Sequence, residues 1–76
     1  MIATTALVLG GGQQGRVIAS DLARALPSLA VRVADLRRPE LPVLPNLSSV
    51  EADLSDATAL ARLIASHDLV VGALPS

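Results

Sequence analysis

Residues Leu9 to Arg16 read LGGGQQGR, and within them Gly10, Gly12 and Gly15 fit the spacing G-x-G-x-x-G. The apolar run Ala6, Leu7, Val8 precedes them and Val17, Ile18, Ala19 follow. The glycines therefore fall where a strand would end and a helix would begin, the one context in which this spacing has a mechanism. The first glycine permits a tight turn, the second keeps side chains away from a diphosphate, and the third lets helix and strand pack closely. Free amides at the helix start, at the positive end of its dipole, then attract the anionic diphosphate of a dinucleotide. Glycines also cluster in ordinary turns, and each costs roughly 0.5–1 kcal/mol of backbone entropy in regular structure. Corroboration has to come from elsewhere in the chain.

Asp35 provides some of it. It stands twenty residues past Gly15 at the end of a second apolar run, where an acid can accept hydrogen bonds from adenosine ribose hydroxyls. The plain alternative is a solvated acid at a strand end. A carboxylate there repels a 2′-phosphate and favours NAD, whereas a guanidinium of Arg37 or Arg38 could pair with that phosphate and favour NADP. Asp53, in EADLSD, could touch the adenine or could form a local turn ahead of Ser55 and Asp56. Gly72 could permit close approach of a ligand or simply pack beneath a helix. His67, the single histidine, follows a helical segment whose dipole suits a cation.

These residues need elements to hold them. Short β-branched runs alternate with helical patterns, the signature of strand, crossover helix and parallel strand. Strands are expected at about Thr4 to Leu9, Ala30 to Asp35, Ser48 to Ala52 and Leu69 to Leu74. The first reads as apolar throughout after Thr5, as it would with helices on both sheet faces. A helix from Gln13 or Gln14 to Leu26 is predicted to carry Ile18, Leu22 and Leu26 as its apolar stripe with Ala19 and Ala25 alongside, and Arg16, Ser20 and Arg24 as a polar row. Pro27 and Ser28 end it. A second helix, capped by Ser55 or Asp56 and running to Ser66, repeats Ala57, Leu60, Ala61 and Ile64 with Leu63 adjacent. Between Leu36 and Asn46 prolines recur at 39, 42 and 45, leaving room for one helical turn at most, opening at Pro39. The expected class is α/β, a Rossmann-like parallel sheet in strand order 3-2-1-4. Ligands of such sheets bind outside the carboxyl ends of the strands where the order reverses, here between the first and fourth.

Composition narrows the alternatives. The chain has 76 residues, half of them hydrophobic, with no aromatic residue and no cysteine, so a disulfide framework and a thiolate metal site are excluded. Net charge is −1 and the cations, all arginine, are scattered apart from Arg37 and Arg38; a phosphate-tracking nucleic-acid surface needs a clustered positive stripe. No apolar run approaches the ~20 residues of a membrane span. MIATTALVLGGG lacks the positive leading region of a signal peptide and is read as a strand. A cytoplasmic location is the expectation.

The segments LVLGGGQQGRVIASDLA, VRVADLRR, VEADLSD and above all HDLVVGALPS resemble the N-terminal NAD(P)-binding domain of the saccharopine dehydrogenase family, in order and over nearly the whole chain. The resemblance implies that Gly10, Gly12, Gln13, Gln14 and Gly15 form the phosphate loop. By the same likeness Asp35 and Arg37 match the adenosine ribose region, Asp53 and Leu54 the adenine region, and Ala73, Leu74, Pro75 and Ser76 the loop near the nicotinamide-side ribose. The proline-rich stretch departs from the family's longer helical crossover. The family's substrate and acid/base residues have no counterpart here, so no catalytic residue and no metal ligand is assigned.

On this reading residues 1–76 are the first half of a dinucleotide-binding domain, without its later strands or substrate domain. The implied cofactor is NAD, with NADP possible. The implied function is hydride transfer between that cofactor and an amino-acid-derived amine or imine, held by a domain outside this chain. A regulatory nucleotide-sensing module without chemistry stays open beside it. The fourth strand is expected to present an unpaired apolar edge, which favours a homo-oligomer.

Overall fold

Every expected element forms, within a residue or two of its expected bounds. The computed structural model describes residues 4–73, so Leu74, Pro75 and Ser76 lie outside the described residues. In chain order the elements are β1 (Thr5–Leu9), α1 (Gln13–Ala25), β2 (Ala30–Asp35), β3 (Leu47–Glu51), α2 (Ala57–Ala65) and β4 (Leu69–Gly72). The four strands make one sheet, ordered β3-β2-β1-β4, and every pairing is parallel. Leu9 stands opposite Ala34 on one side and Gly72 on the other, and Asp35 stands opposite Glu51. The carboxyl ends of all four strands therefore share one edge, and the order reverses between β1 and β4.

The centre of the sheet is dry on both faces. Ala6, Leu7, Val8 and Leu9 of β1 are all buried, and Leu7, Val8, Val31 and Val33 are the largest fully buried side chains. Each such aliphatic group contributes about 1.5–3 kcal/mol relative to exposure. On one face Ala6, Val8, Val31 and Val33 meet α1 through Ala19 and Ala23. On the other, Leu7, Leu9 and Ala34 meet Leu60 and Leu63 of α2, with Val50 and Leu54 alongside.

The inward line of α1 differs from the expected stripe. Gly15, Ala19, Ser20 and Ala23 are its buried residues, while Ile18 and Leu22 flank the core half-buried and Leu26 is exposed. Small residues four apart lie along the line of closest approach to the sheet, and the larger ones fill the grooves beside it. Ser20, expected in the polar row, is buried because its hydroxyl donates back to the Arg16 carbonyl at 2.7 Å, leaving no unsatisfied oxygen. In α2 the half-buried residues are Ala59, Leu60 and Leu63, whereas Ala57, Ala61 and Ile64 face outward. Its cap is Asp56, whose Oδ1 accepts from the Thr58 and Ala59 amides at 3.0 and 3.2 Å.

No helical turn forms at Pro39; residues 38–44 are neither helix nor strand. Leu41 and Leu44 of this segment, with Leu47 at the start of β3, nevertheless pack on the α1-side core. Asn46 ends this segment and locks it. Its Nδ2 donates to the carbonyls of Ala23, Leu26 and Leu29 at 2.9, 3.2 and 2.8 Å, and its own carbonyl accepts from the Val31 amide. One side chain thus ties the end of α1, the turn after it and the entry to β3. Among the described residues no helix is long and apolar enough to cross a membrane.

Candidate functional site

The glycine loop joins β1 to α1 at the reversal edge of the sheet, and its three motif glycines are glycine for three different reasons. Gly10 has φ 107°, a conformation that side chains rarely adopt, and its amide donates to the Ala34 carbonyl of β2 at 2.8 Å. Gly15 is buried in the first turn of α1, where a β-carbon would collide with the Gly10 carbonyl. Gly12 has neither constraint. It adopts φ −68° and ψ −175° as the N-cap of α1, ordinary extended backbone, and a β-carbon built on it meets nothing within 4 Å. The fold does not require glycine there. An open approach to the main chain does.

What would approach is set by the helix start. No side chain caps α1, and its first turn holds no acid, so the leading amides have no partner within the helix and face outward with the positive dipole end. Gly12, Gln13, Gln14 and Ala73 line an open crevice of about 360 Å³ at this point. Ala73 follows β4, with its amide bonded to the Leu9 carbonyl at 2.8 Å, and comes within 3.5 Å of where a β-carbon on Gly15 would stand. The crevice thus sits between the first and last strands, at the switch in strand order.

Asp35 closes the other side. Its Oδ2 accepts from the Gly11 amide at 2.6 Å and its Oδ1 from the Leu36 amide at 2.7 Å. The carboxylate is half-buried and held against the glycine loop, while Arg37 and Arg38 just beyond it are exposed. The Asp35 carbonyl accepts from Ala52 at 2.8 Å, which brings the residues after β3 to the same edge.

The sequence matches the saccharopine dehydrogenase NADP binding domain over residues 6–76. The chain belongs to that family. No curated protein sequence matches it. As a saccharopine dehydrogenase NADP binding domain the chain is a nicotinamide-dinucleotide-binding module of an oxidoreductase family, and the residues at the sheet edge fit such a cofactor. An anionic diphosphate matches uncapped amides beside an unencumbered Gly12, and a ribose diol matches a fixed carboxylate.

Within this saccharopine dehydrogenase domain the expected site residues divide. Gly10, Gly12, Gln13, Gln14, Gly15, Asp35 and Ala73 come together around the loop. Asp53 is exposed and makes a local turn, its Oδ1 accepting from the Ser55 hydroxyl at 2.6 Å and the Ser55 amide at 3.0 Å. Those bonds, the hydroxyl's foremost, hold its carboxyl below the ordinary carboxylate value. Leu54 is half-buried against Leu7, Leu9 and Ala34 on the α2 face. His67 sits at the end of α2 with Nδ1 2.7 Å from the Leu63 carbonyl, remote in the fold from the reversal edge. Two residues of the site escape the sequence pattern: Gly11, which bonds Asp35, and Pro39, which packs on Gly11. The third consecutive glycine is the available signal for the first; nothing local signals the second.

Proposed function

We propose that this domain binds NAD in preference to NADP and serves an oxidoreductase that passes a hydride between the cofactor and an amino-acid-derived amine or imine. The observation that carries the reading is Gly12, a glycine the fold has no use for, at the uncapped start of α1. Gly12, Gln13 and Gln14 hold the diphosphate through main-chain amides, and Asp35 accepts from the adenosine ribose. The preference for NAD rests on that same carboxylate, which is fixed by two amides and repels a 2′-phosphate. Arg37 and Arg38 are exposed and act in the opposite direction, at a screened surface where their pull is weaker. The family resemblance assigns the main chain at Asp53 and Leu54 to the adenine, their side chains being engaged in the Ser55 turn and the α2-face core, and Ala73, Leu74 and Pro75 to the nicotinamide-side ribose. The nicotinamide supplies the redox chemistry when bound. Substrate binding and proton transfer belong to residues outside this domain.

Calorimetric titration of the protein with NADH and with NADPH tests both parts. Binding of neither overturns the function, and tighter binding of NADPH overturns the preference.

A further inference from the structure

The G-x-G-x-x-G spacing leaves its second position free, yet here that position is confined. Gly11 is half-buried, and a β-carbon on it would stand 2.9 Å from Pro39 Cβ, 3.1 Å from Pro39 Cγ and 3.2 Å from Asp35 Oδ2. Among the described residues only Gly10 has a positive φ, so the confinement is not a matter of backbone conformation. It comes from Pro39. A proline ring cannot swing aside as a long side chain does, because its φ is fixed and its β-carbon is tied to the main chain. The space beside the Gly11 α-carbon is thereby closed by the proline and by the carboxylate that accepts its amide at 2.6 Å.

The geometry points to Gly11 as a positioning residue for cofactor choice: its amide ties Asp35 to the loop, and Pro39 is the wall that confines position 11 to glycine. The carboxylate has one oxygen on Leu36 and one on Gly11. Only the second bond reaches across from β2 to the loop, so it alone ties the carboxylate to the diphosphate site. A side chain at position 11 forces the loop and Pro39 apart, and a shift of the loop stretches that bond. A carboxylate released from the loop can turn about its side-chain torsions, loses its alignment to the ribose diol and withdraws its charge from a 2′-phosphate. The proline-rich crossover, in place of a helix, is what builds this wall. The inference rests on the reading of Asp35 as the ribose residue.

The test is a double-mutant cycle on the 76-residue chain with Gly11→Ala, Pro39→Gly and the pair combined, each titrated with NADH and NADPH. In the native background Gly11→Ala is expected to weaken NADH binding about tenfold and NADPH binding much less, while in the Pro39→Gly background the same change costs no more than about threefold. An NADH-to-NADPH affinity ratio unchanged by Gly11→Ala, or an equal loss in both backgrounds, overturns the inference. Should Gly11→Ala fail to fold alone, recovery of folding in the combined variant supports it and failure there overturns it. Amide hydrogen exchange at position 11 gives a readout that needs no ligand. Exchange is expected to be slow in the wild type, fast in Asp35→Ala and Gly11→Ala, and slow again in the combined variant; equal rates in the wild type and Asp35→Ala overturn the inference. If the wild type binds neither dinucleotide, the proposed function fails while the exchange result still decides whether Gly11 holds Asp35 and Pro39 confines position 11.

Discussion

The carbonyl oxygen of Gly10 occupies the space that a β-carbon on Gly15 would fill. The contact joins the end of β1 to the first turn of α1 and lets the helix settle on the sheet along Gly15, Ala19 and Ala23. Gly15→Ala must therefore push backbone against backbone, and a loss of at least about 3 kcal/mol is expected, the upper end of ordinary overpacking costs. Urea unfolding measures it; a loss under about 1 kcal/mol would show that α1 can shift cheaply.

Gly12 separates stability from function. Its extended N-cap backbone and open surroundings suit a serine, which would cap the free amides and reduce the entropy of the unfolded chain. Gly12→Ser is expected to raise stability by about 0.5–1 kcal/mol while weakening dinucleotide binding at least about tenfold, since on the proposed function the hydroxymethyl group would stand in the path of the diphosphate. Thermal unfolding and calorimetric titration on the same sample check both. A variant that is more stable and binds as before would remove Gly12 from the site.

Much of this arrangement is legible in the order of the residues. Alternating strand and helix patterns specify a parallel sheet, and the handedness of crossovers leaves few orders for four strands. Gly10, Gly12, Gly15 and Asp35 follow from spacing because each acts through a local conformation or a strand end. Periodicity finds the apolar side of α1, with Ile18, Ala19 and Leu22, but misplaces Leu26 and passes over Ala23, because hydrophobicity marks bulk and Ala23 is inward for being small. Gly11 with Pro39 is illegible for another reason. Their contact depends on the path of an extended segment whose direction no local pattern encodes.

Asn46 carries a stability prediction. Its side-chain amide serves the carbonyls of Ala23, Leu26 and Leu29; Leu26 also accepts from the Leu29 amide, whereas the Ala23 carbonyl lies in the last turn of α1, where helical partners run out. Asn46→Ala is expected to cost about 1–3 kcal/mol by leaving part-buried acceptors unmatched. For a domain of this size the melting temperature falls by roughly 4–8 °C per kcal/mol. Asn46→Asp should be worse than Asn46→Ala, because it sets a carboxylate against three carbonyl oxygens; the reverse order would refute the donor role.

Asp68 contributes to the acid limb of stability. Its Oδ2 accepts from the Thr4 amide and hydroxyl, both at 2.8 Å, and from the Thr5 amide and hydroxyl at 3.2 and 3.3 Å, tying the start of β1 to the start of β4. These bonds, led by the Thr4 amide, hold its carboxyl below the ordinary value of 3.8. A depressed folded-state value means that the unfolded chain binds the proton more readily, so the contribution is complete above the ordinary carboxylate range and is lost as pH falls through the lowered value. Asp53 contributes in the same direction through Ser55. Asp68→Asn is expected to lower the melting temperature at pH 7 and to flatten its decline below pH ~4; an unaltered acid limb would contradict the assignment.

The outer edge of β4 makes the last prediction. β4 pairs with β1 on one side, and among the described residues no strand covers the other. Leu69 and Val70 on it are 45% and 39% exposed. Unpaired backbone groups next to apolar side chains are a template for another strand. The 76-residue chain is therefore expected to self-associate, with a weight-average mass that climbs across about a hundredfold range of concentration in sedimentation equilibrium. Val70→Lys places a charge on that edge and should shift the equilibrium towards monomer with a stability change of no more than about 1 kcal/mol. A wild-type chain that stays monomeric throughout would mean that this edge is protected without a partner strand.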